Sequence, residues 1–204
     1  TMMRPLAALL AAALVAPSRC FEVPGAVAAL GAKYADSMAA RPLLTKMGTS
    51  AAIFGASDAS AQALERAPAL DRTRLAVTTA IGGFYFAPAA HVWYGAITKA
   101  IPANDLRAIL TKALLGQLIF GPLVTCVFFA SACLQSPEGL RALPGKIRSD
   151  LLGVQAAGLG FWPFVDLVSY ACLPVDYIPV FVNGASFVWT IFLSFKSRAA
   201  KRAP

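Results

Sequence analysis

Long uncharged runs divide this chain into apolar segments of the length that crosses a lipid bilayer. Residues 75–98 and 113–137 contain no Asp, Glu, Lys or Arg, and residues 177–195 form a third such run that ends at a basic tail. Each run exceeds the roughly 18 residues expected of a transmembrane helix. The pattern therefore predicts three membrane-spanning helices with basic residues at their ends.

Two further apolar segments each carry an acidic residue. Residues 47–64 contain Asp58, and residues 151–173 contain Asp166. A turn with two prolines separates the second segment from residues 177–195, because proline interrupts helical hydrogen bonding. Counting every segment as a full span gives five. We expect four conventional spans plus one piece that is half-inserted or re-entrant.

These segments predict an all-α fold, a polytopic transmembrane helical bundle of about four spans plus amphipathic or re-entrant helices. Residues 139–150 are expected to form a short amphipathic piece at the membrane surface. We expect one bundle over residues 34–197, followed by a basic C-terminal tail at 198–204. Residues 1–33 have the form of a targeting leader that ends near Cys20, or of a peripheral Ala-rich helix.

Composition supports the membrane interpretation. The chain is 58% hydrophobic and 14% charged, with a mean hydropathy of +0.65, whereas an average soluble domain is about a quarter charged. Four cysteines in 204 residues are too few for a disulfide scaffold. The 18 Lys and Arg residues give a net charge of +8, but they flank the apolar segments, so the predicted partner is the bilayer and not nucleic acid.

The segment around Asp58 carries a ladder of small residues. Its members share a spacing of three or four and are Gly48, Ala51, Gly55, Ala59 and Ala63. In lipid, close backbone approach supplies the attraction between helices. The ladder therefore predicts a helix-packing face at the centre of the bundle.

Four polar side chains are candidates for the interior of the bundle or of a pore: Asp58, Gln62, Gln117 and Asp166. Asp58 and Gln62 share a helix face because they are four residues apart. A carboxylate at membrane depth costs about 2.5–3.5 kcal/mol on insertion scales, so it is paired, interior or functional. Asp58 is accordingly either a pore or proton-relay position or a structural tie to an Arg, Tyr or Trp. Lys112 is expected to extend toward the membrane surface.

The sequence contains few residues or motifs that are typical of metal binding or catalysis. His91 is the single histidine, which excludes a multi-histidine metal site and leaves one candidate ligand for chlorophyll magnesium; we interpret it first as an interface residue. The chain has no Gly-rich phosphate loop, no Gly-x-Ser-x-Gly and no His-Glu-x-x-His. We therefore expect no enzymatic activity and no cofactor, with chlorophyll or lipid contacts if the chain is a photosystem subunit.

One set of residues matches the signature of a membrane-protein family. Its members are Asp58, Gln62, Pro88, Trp93, Tyr94, Pro122, Trp162, Pro163, Pro174 and Trp189. In this order and spacing the chain resembles the Mpv-seventeen and twenty-two-kilodalton peroxisomal membrane protein family. The resemblance implies about four spans, no cofactor, and residence in an organellar membrane: the mitochondrial inner membrane or the plastid thylakoid, with the leader arguing against the peroxisome.

Three positions depart from the pattern of that family. Gly116 stands where the family usually has Asp, Asp166 where it has Gln, and Ile178 where it has Arg. These changes alter the polar and cationic character of any channel lining.

Two functions follow from these expectations. The first is a passive pore, or a role in organelle membrane homeostasis, with Asp58, Gln62 and Asp166 along the pathway. The alternative is a structural accessory subunit of a large respiratory or photosynthetic (photosystem–antenna) membrane complex. A homo-oligomer is a further possible assembly.

Overall fold

The computed structural model describes residues 25–65 and 69–202, and the side chains within 31–65 and 69–191. In this part of the chain the elements are all helical, which confirms the all-α prediction. They are α1 (Gly25–Ala40), α2 (Pro42–Glu65), α3 (Arg72–Ala100), α4 (Leu106–Leu134), a 3₁₀ turn (Gly139–Ala142), α5 (Leu143–Gly158), α6 (Trp162–Cys172) and α7 (Ile178–Arg202). The leader up to residue 24 and the last two residues of the tail lie outside the described residues. The predicted domain boundaries stay predictions.

Helix α1 belongs to a compact unit that ends at Pro42, and residues from Leu43 onward form a second unit. Within the first unit the Ser37 hydroxyl donates to the Lys33 carbonyl at 2.9 Å. The Arg41 backbone N–H donates to the Ser37 carbonyl, also at 2.9 Å. These bonds close the C-terminal turn of α1.

Two helices of the described chain are long and apolar enough to cross a membrane. Helices α3 and α4 have 29 residues each, with mean hydropathies of 1.3 and 2.0 over their most apolar windows. The predicted span 75–98 lies within α3, and the predicted span 113–137 lies within α4 except for its last three residues, which follow the end of the helix at Leu134. The segment Gly139–Gly158 and helix α6 form a pair bent by 53°, which adds a third span if the pair crosses as one. The break between Gly158 and Trp162 lies inside the predicted segment 151–173, and residues 139–150, predicted as a surface piece, belong to the first half of the bent pair. The half-inserted or re-entrant piece stays a prediction.

The other predicted spans have a different character. The segment 47–64 lies in α2, which is helical but not apolar enough to count as a span. The physical reason is that α2 turns charged and polar side chains toward its neighbours. In α7 the described apolar stretch is Ile178–Ile191, shorter than a full crossing. The total of four spans therefore stays a prediction.

Local sequence sets where the helices begin and end. The Asp71 side chain accepts a hydrogen bond from the Arg74 backbone N–H at 2.9 Å and caps α3. Helices α5 and α6 carry a proline in their first turn, where a missing N–H costs nothing. Leu173 is extended because Pro174 follows it, and this ends α6.

Helices α3 and α4 share an irregularity. Each contains a π-helical turn, Ile81–Phe86 in α3 and Gly116–Phe120 in α4, and a proline (Pro88 or Pro122) follows two residues later. Proline lacks an N–H and its ring clashes with the carbonyl four residues earlier. The wider π turn relieves this clash by shifting one hydrogen bond to the residue five positions back.

Aromatic and aliphatic side chains from five helices form the core of the second unit. The buried members are Phe54 of α2, Phe86, Ala90, Tyr94 and Ile97 of α3, Ile109 of α4, Val165 and Tyr170 of α6, and Ile178 and Val182 of α7. Helix α5 packs on the second half of α4. The core therefore joins α2, α3, α4, α6 and α7 into one packed body.

Glycines allow α2 and α3 to approach closely. A Cβ on Gly82 would lie 2.7 Å from Phe54 side-chain atoms and 2.8 Å from the Ser50 carbonyl. A Cβ on Gly55 would lie 2.8 Å from the Thr79 hydroxyl. Real Cβ contacts are not this short. A methyl group at position 82 forces the helices apart because it meets the Ser50 backbone, whereas one at position 55 requires the Thr79 side chain to move.

The predicted small-residue ladder is only partly at this contact. Ala51 and Gly55 face α3, where Ala51 lies against Gly83. By contrast, Gly48 has open space where a Cβ would be, and both Gly48 and Ala63 are exposed. The five residues do not form one contact line, because the buried stripe of α2 is displaced from the ladder.

We expect Gly82→Ala to destabilise the protein by about 1–3 kcal/mol, because the added methyl group overpacks the contact with Phe54 and Ser50. Thermal unfolding in detergent, followed by circular dichroism, measures the effect. The matched control is Gly95→Ala in the same helix, where the new Cβ meets nothing within 4 Å. Equal unfolding temperatures for both variants would contradict the close approach.

Candidate functional site

Several polar side chains are buried in the described part of the second unit. They are Lys46, Ser50, Ser57, Asp58, Gln62, Lys112, Asp166, Ser169 and Asn183. Because an unpaired buried charge is costly, the partners of these groups show which of them are structural. Four groupings account for the charged members.

Asp58 is held by two donors. The Arg74 Nε donates to one Asp58 oxygen at 2.7 Å, and the Gln62 Nε2 donates to the other at 2.7 Å. Asp58 is 4% exposed. Of the two predicted alternatives for Asp58, the structure therefore contains the structural tie to an arginine.

The same network fixes the connection from α2 to α3. Gln62 accepts from the Asp71 backbone N–H at 2.7 Å and donates to the Asp71 carbonyl at 3.1 Å. Arg74 also donates through Nη1 to Glu65 at 2.9 Å. The end of α2 and the start of α3 are thereby joined by side chains from both helices.

Lys46 occupies the second grouping. Its ammonium donates to Asp176 at 3.0 Å and lies 3.1 Å from His91 Nδ1. Lys46 is 1% exposed, whereas the Asp176 side chain is 61% exposed. An ammonium can only donate, so Nδ1 is the acceptor in this contact. His91 is therefore a partner of Lys46, and its role as a chlorophyll ligand stays a prediction.

Lys112 forms the third grouping, and it does not extend to the surface as expected. It is 1% exposed, and its ammonium donates to the Ala103 carbonyl at 2.9 Å and to the Asn104 side chain at 3.1 Å. The ammonium also lies 5.5 Å from the centre of the Tyr170 ring. Lys112 therefore closes the loop between α3 and α4 from inside.

Asp166 is the fourth buried charged residue, and its surroundings are different. Its one described hydrogen bond comes from the Gln117 Nε2 at 3.0 Å. Asp166 is 6% exposed. Among the described residues, no Lys, Arg or His forms an ion pair with it.

Two of the positions that depart from the family pattern meet at this point. A Cβ on Gly116 would lie 3.3 Å from an Asp166 carboxylate oxygen. The carboxylate at 166 therefore lies in the space into which a side chain at 116 would project.

Two cavities lie among the helices of the second unit. The outer cavity, of about 470 Å³, is lined by Asp58, Asp71 and Arg74 together with residues of α4 and α7. The inner cavity, of about 370 Å³, is lined by Gln117 and Asp166 and by aromatic side chains. Both π-helical turns contribute to the inner cavity, through Phe86 in α3 and through Gly116, Gln117 and Phe120 in α4.

The two cavities are neighbours. Phe54, Phe128, Ser186 and Thr190 line both of them. The rings of Phe54 and Phe128 are stacked, with centroids 6.0 Å apart. This aromatic pair stands at the boundary between the outer and the inner cavity.

The predicted polar residues therefore divide into two pairs. Asp58 and Gln62 bond to each other, and Asp166 bonds to Gln117 from another helix. Of the four, Asp58 lines the outer cavity, and Gln117 and Asp166 line the inner one. Gln62 donates a hydrogen bond to Asp58 but lines neither cavity.

Sequence reasoning missed Lys46 and its stripe. Lys46, Ser50, Phe54, Asp58 and Gln62 follow one another at intervals of four along α2, and all are buried. Residues four apart share a helix face. This interval, read from Lys46, was the signal that could have identified the buried face.

The structure contains no group of three or more His, Cys, Asp or Glu side chains that could hold a metal ion, within the residues it describes. Cys126, Cys133 and Cys172 are free thiols there.

Comparison with known proteins gives a consistent result. The sequence profile of the Mpv17 / PMP22 family matches residues 132–194. Protein sym-1 of Neurospora crassa is 30% identical over 167 residues, covering 79% of this chain and 95% of the relative. The mitochondrial inner membrane protein Mpv17 of Caenorhabditis briggsae is 26% identical over 162 residues, covering 79% and 90%. The Mpv17-like protein of Bos taurus is 29% identical over 155 residues, covering 72% and 74%. No solved structure matches.

We expect Asp58→Asn to lower the free energy of unfolding by about 1–3 kcal/mol, because it leaves Arg74 without its buried partner. The estimate is below that for a fully buried pair, since the Arg74 side chain is 38% exposed and keeps Glu65. A double-mutant cycle with Arg74→Gln in detergent measures the coupling.

The control for this cycle is Asp150→Asn, which removes the exposed Lys146–Asp150 pair of α5. No measurable shift in unfolding is expected for the control. Additive effects of Asp58→Asn and Arg74→Gln would refute the tie.

Proposed function

Because this chain belongs to the Mpv17 / PMP22 family of membrane proteins, we propose that it provides a passive pathway for small solutes across a mitochondrial inner membrane. The observation that carries the proposal is the pair of adjoining cavities inside the helical body. One is lined by charged groups and the other by aromatic rings and a carboxylate.

The membrane is an organellar one. The nematode relative is named as a mitochondrial inner membrane protein, and this supports the mitochondrial inner membrane as the location. The bilayer itself is the partner that α3 and α4 require, since their apolar surfaces are largely exposed in the isolated chain.

The shape of the cavities suggests the route. A solute entering the outer cavity meets Asp58, Asp71 and Arg74. The Arg74 guanidinium pairs with Asp58, and the Asp71 carboxylate accepts a hydrogen bond from the Arg74 backbone N–H. To reach the inner cavity the solute passes the stacked rings of Phe54 and Phe128. Apolar constrictions of this kind act as gates in channels, because water and ions leave them readily.

The proposal assigns no reaction to the protein. The names of the relatives do not indicate an enzymatic activity. A pathway of this type requires that the buried charges beside it are paired, and Asp58 and Lys46 have partners in Arg74 and Asp176.

The accessory-subunit hypothesis stays a prediction. Its test is extraction in a mild detergent followed by a native gel with mass spectrometry of the band. Co-migration with a respiratory or photosynthetic complex supports the subunit. Migration alone or as a small homo-oligomer supports the pathway.

The pathway is tested by filling the region that the two cavities share. We expect Ser186→Trp to abolish most of the single-channel conductance in a planar bilayer in KCl, because Ser186 lines both cavities. The matched control is Val188→Trp, two residues along the same helix, where the side chain is 57% exposed. It should conduct like the parent protein.

Two results would count against the pathway. Pure, folded parent protein that conducts nothing would remove it. Equal conductance of Ser186→Trp and Val188→Trp would show that any current takes another route.

A further inference from the structure

The two most deeply buried carboxylates of the described chain are treated differently. Asp58 is 4% exposed and is compensated by the Arg74 guanidinium. Asp166 is 6% exposed and is bonded only to the Gln117 amide. Burial is unfavourable for both carboxylates, and Asp58 has an opposite charge beside it. Among the side chains that the structure describes, none supplies a cation to Asp166.

Lys112 is a buried cation of α4, four residues before Gly116, and its contacts lie elsewhere. Its ammonium lies over the Tyr170 ring and donates to Ala103 and Asn104. Lys112 is not among the residues that line the inner cavity, and within the described part of the chain it forms no ion pair with Asp166.

The walls around Asp166 are suited to a cation of one particular kind. Aromatic rings make up almost half of the lining of the inner cavity, and the chain's three tryptophans, Trp93, Trp162 and Trp189, are all among them. Ring faces attract cations that have shed their water. Trp162 and Trp189 lie 6.0 Å apart, and Trp93 stacks on Phe120.

The same lining argues against a metal ion. A divalent metal ion requires several oxygen ligands at short distance. The inner cavity supplies one carboxylate and a few amide or hydroxyl groups, and the described residues contain no metal-binding cluster. An organic cation, whose apolar part contacts the rings, has no such requirement.

A second polar group of the cavity also awaits a partner. The Gln155 Nε2 is buried and has no hydrogen-bond partner among the described residues. Gln155 lies in α5 and lines the inner cavity together with Asp166 of α6. Asp166 and Gln155 are thus two polar groups of one cavity, and an ammonium ligand pairs with the carboxylate only, because it has no acceptor for the Gln155 amide.

We propose that the inner cavity is a binding site for a small organic ammonium ion, with its charge at the Asp166 carboxylate and its apolar portion against the tryptophans. The site holds the ligand without any covalent step. Binding at this site does not depend on conduction. A protein that binds the ammonium and does not conduct keeps this site and excludes the pathway. A protein that conducts and does not bind the ammonium keeps the pathway and excludes this site.

The probe is 2-phenylethylammonium, compared with uncharged 2-phenylethanol, which has the same ring and the same chain length. The full chain is reconstituted in phosphatidylglycerol nanodiscs, and intrinsic tryptophan fluorescence reports binding because all three tryptophans line the cavity. We expect saturable quenching by the ammonium and at least about tenfold weaker binding of the alcohol. Equal affinities for the ammonium and the alcohol would overturn the proposal, because they would mean that Asp166 carries no charge by which it distinguishes the two probes.

Variants separate charge from packing. Asp166→Asn preserves the shape of the side chain and should remove the preference for the ammonium. The matched control is Asp150→Asn in α5, an exposed carboxylate that does not line the cavity and should leave the preference unchanged. Retention of the preference in Asp166→Asn would overturn the assignment.

A rescue variant guards against a misfolded Asp166→Asn. A Cβ at position 116 would lie 3.3 Å from an Asp166 carboxylate oxygen. Gly116→Asp in the Asp166→Asn background therefore returns a carboxylate to this region from the opposite helix. We expect it to restore discrimination between the ammonium and the alcohol. A folded double variant without discrimination would contradict the charge role.

The ammonium could come from a lipid headgroup or from a free amine. Nanodiscs in which phosphatidylethanolamine replaces phosphatidylcholine at a constant fraction of phosphatidylglycerol distinguish the sources, because the surface charge stays the same. A loss of probe affinity in these nanodiscs shows that the lipid headgroup competes for the site, and an unchanged affinity shows that the site takes free amines. Both results retain an ammonium site.

Discussion

The burial of a charged face on helix α2 is the constraint on which the rest of the structure depends. Its stripe from Lys46 to Gln62 requires a partner at each turn, and each partner comes from a different part of the chain. Arg74 of α3 forms an ion pair with Asp58, and Lys46 forms one with Asp176 of the proline turn. Asn183 of α7 donates a hydrogen bond to Ser50 at 2.6 Å. Since an unpaired charge in lipid is costly, these bonds fix the arrangement of α2, α3 and α7 together.

The helices pack tightly on one side of this charged face and enclose the inner cavity on the other. Glycines bring α2 and α3 together on one side, whereas large rings from α3, α4, α6 and α7 meet on the other without filling the space. Rings are rigid and cannot fold into gaps as methionine does. The interior therefore combines a tight helix contact with an aromatic cavity, and the carboxylate of Asp166 stands at the edge of that cavity.

Much of the fold was predictable from sequence, because charge-free length determines which helices can contact lipid. Residues 75–98 and 113–137 were found this way, and Asp58 and Gln62 were placed on one face by their spacing. The partners were not predictable. Arg74 follows Asp58 by 16 residues and a turn, and Asp166 meets Gln117 across 49 residues, so only the tertiary structure reveals one acid as paired and the other as uncompensated. Lys46 was overlooked because it lies just before the apolar segment, although its four-residue interval to Ser50 continues the stripe.

The paired π-helical turns give the chain a sensitivity to sequence length. A π turn contains one residue more than the α-helix it interrupts, and each residue of an α-helix rotates the following ones by about 100°. Loss of a single residue within Ile81–Phe86 would remove the π turn and rotate the rest of α3 relative to its first part. Trp93 and Tyr94 would then turn away from the inner cavity, while composition and hydropathy would be almost unchanged. Among relatives of this chain, a one-residue gap at either π turn thus carries more structural meaning than many substitutions.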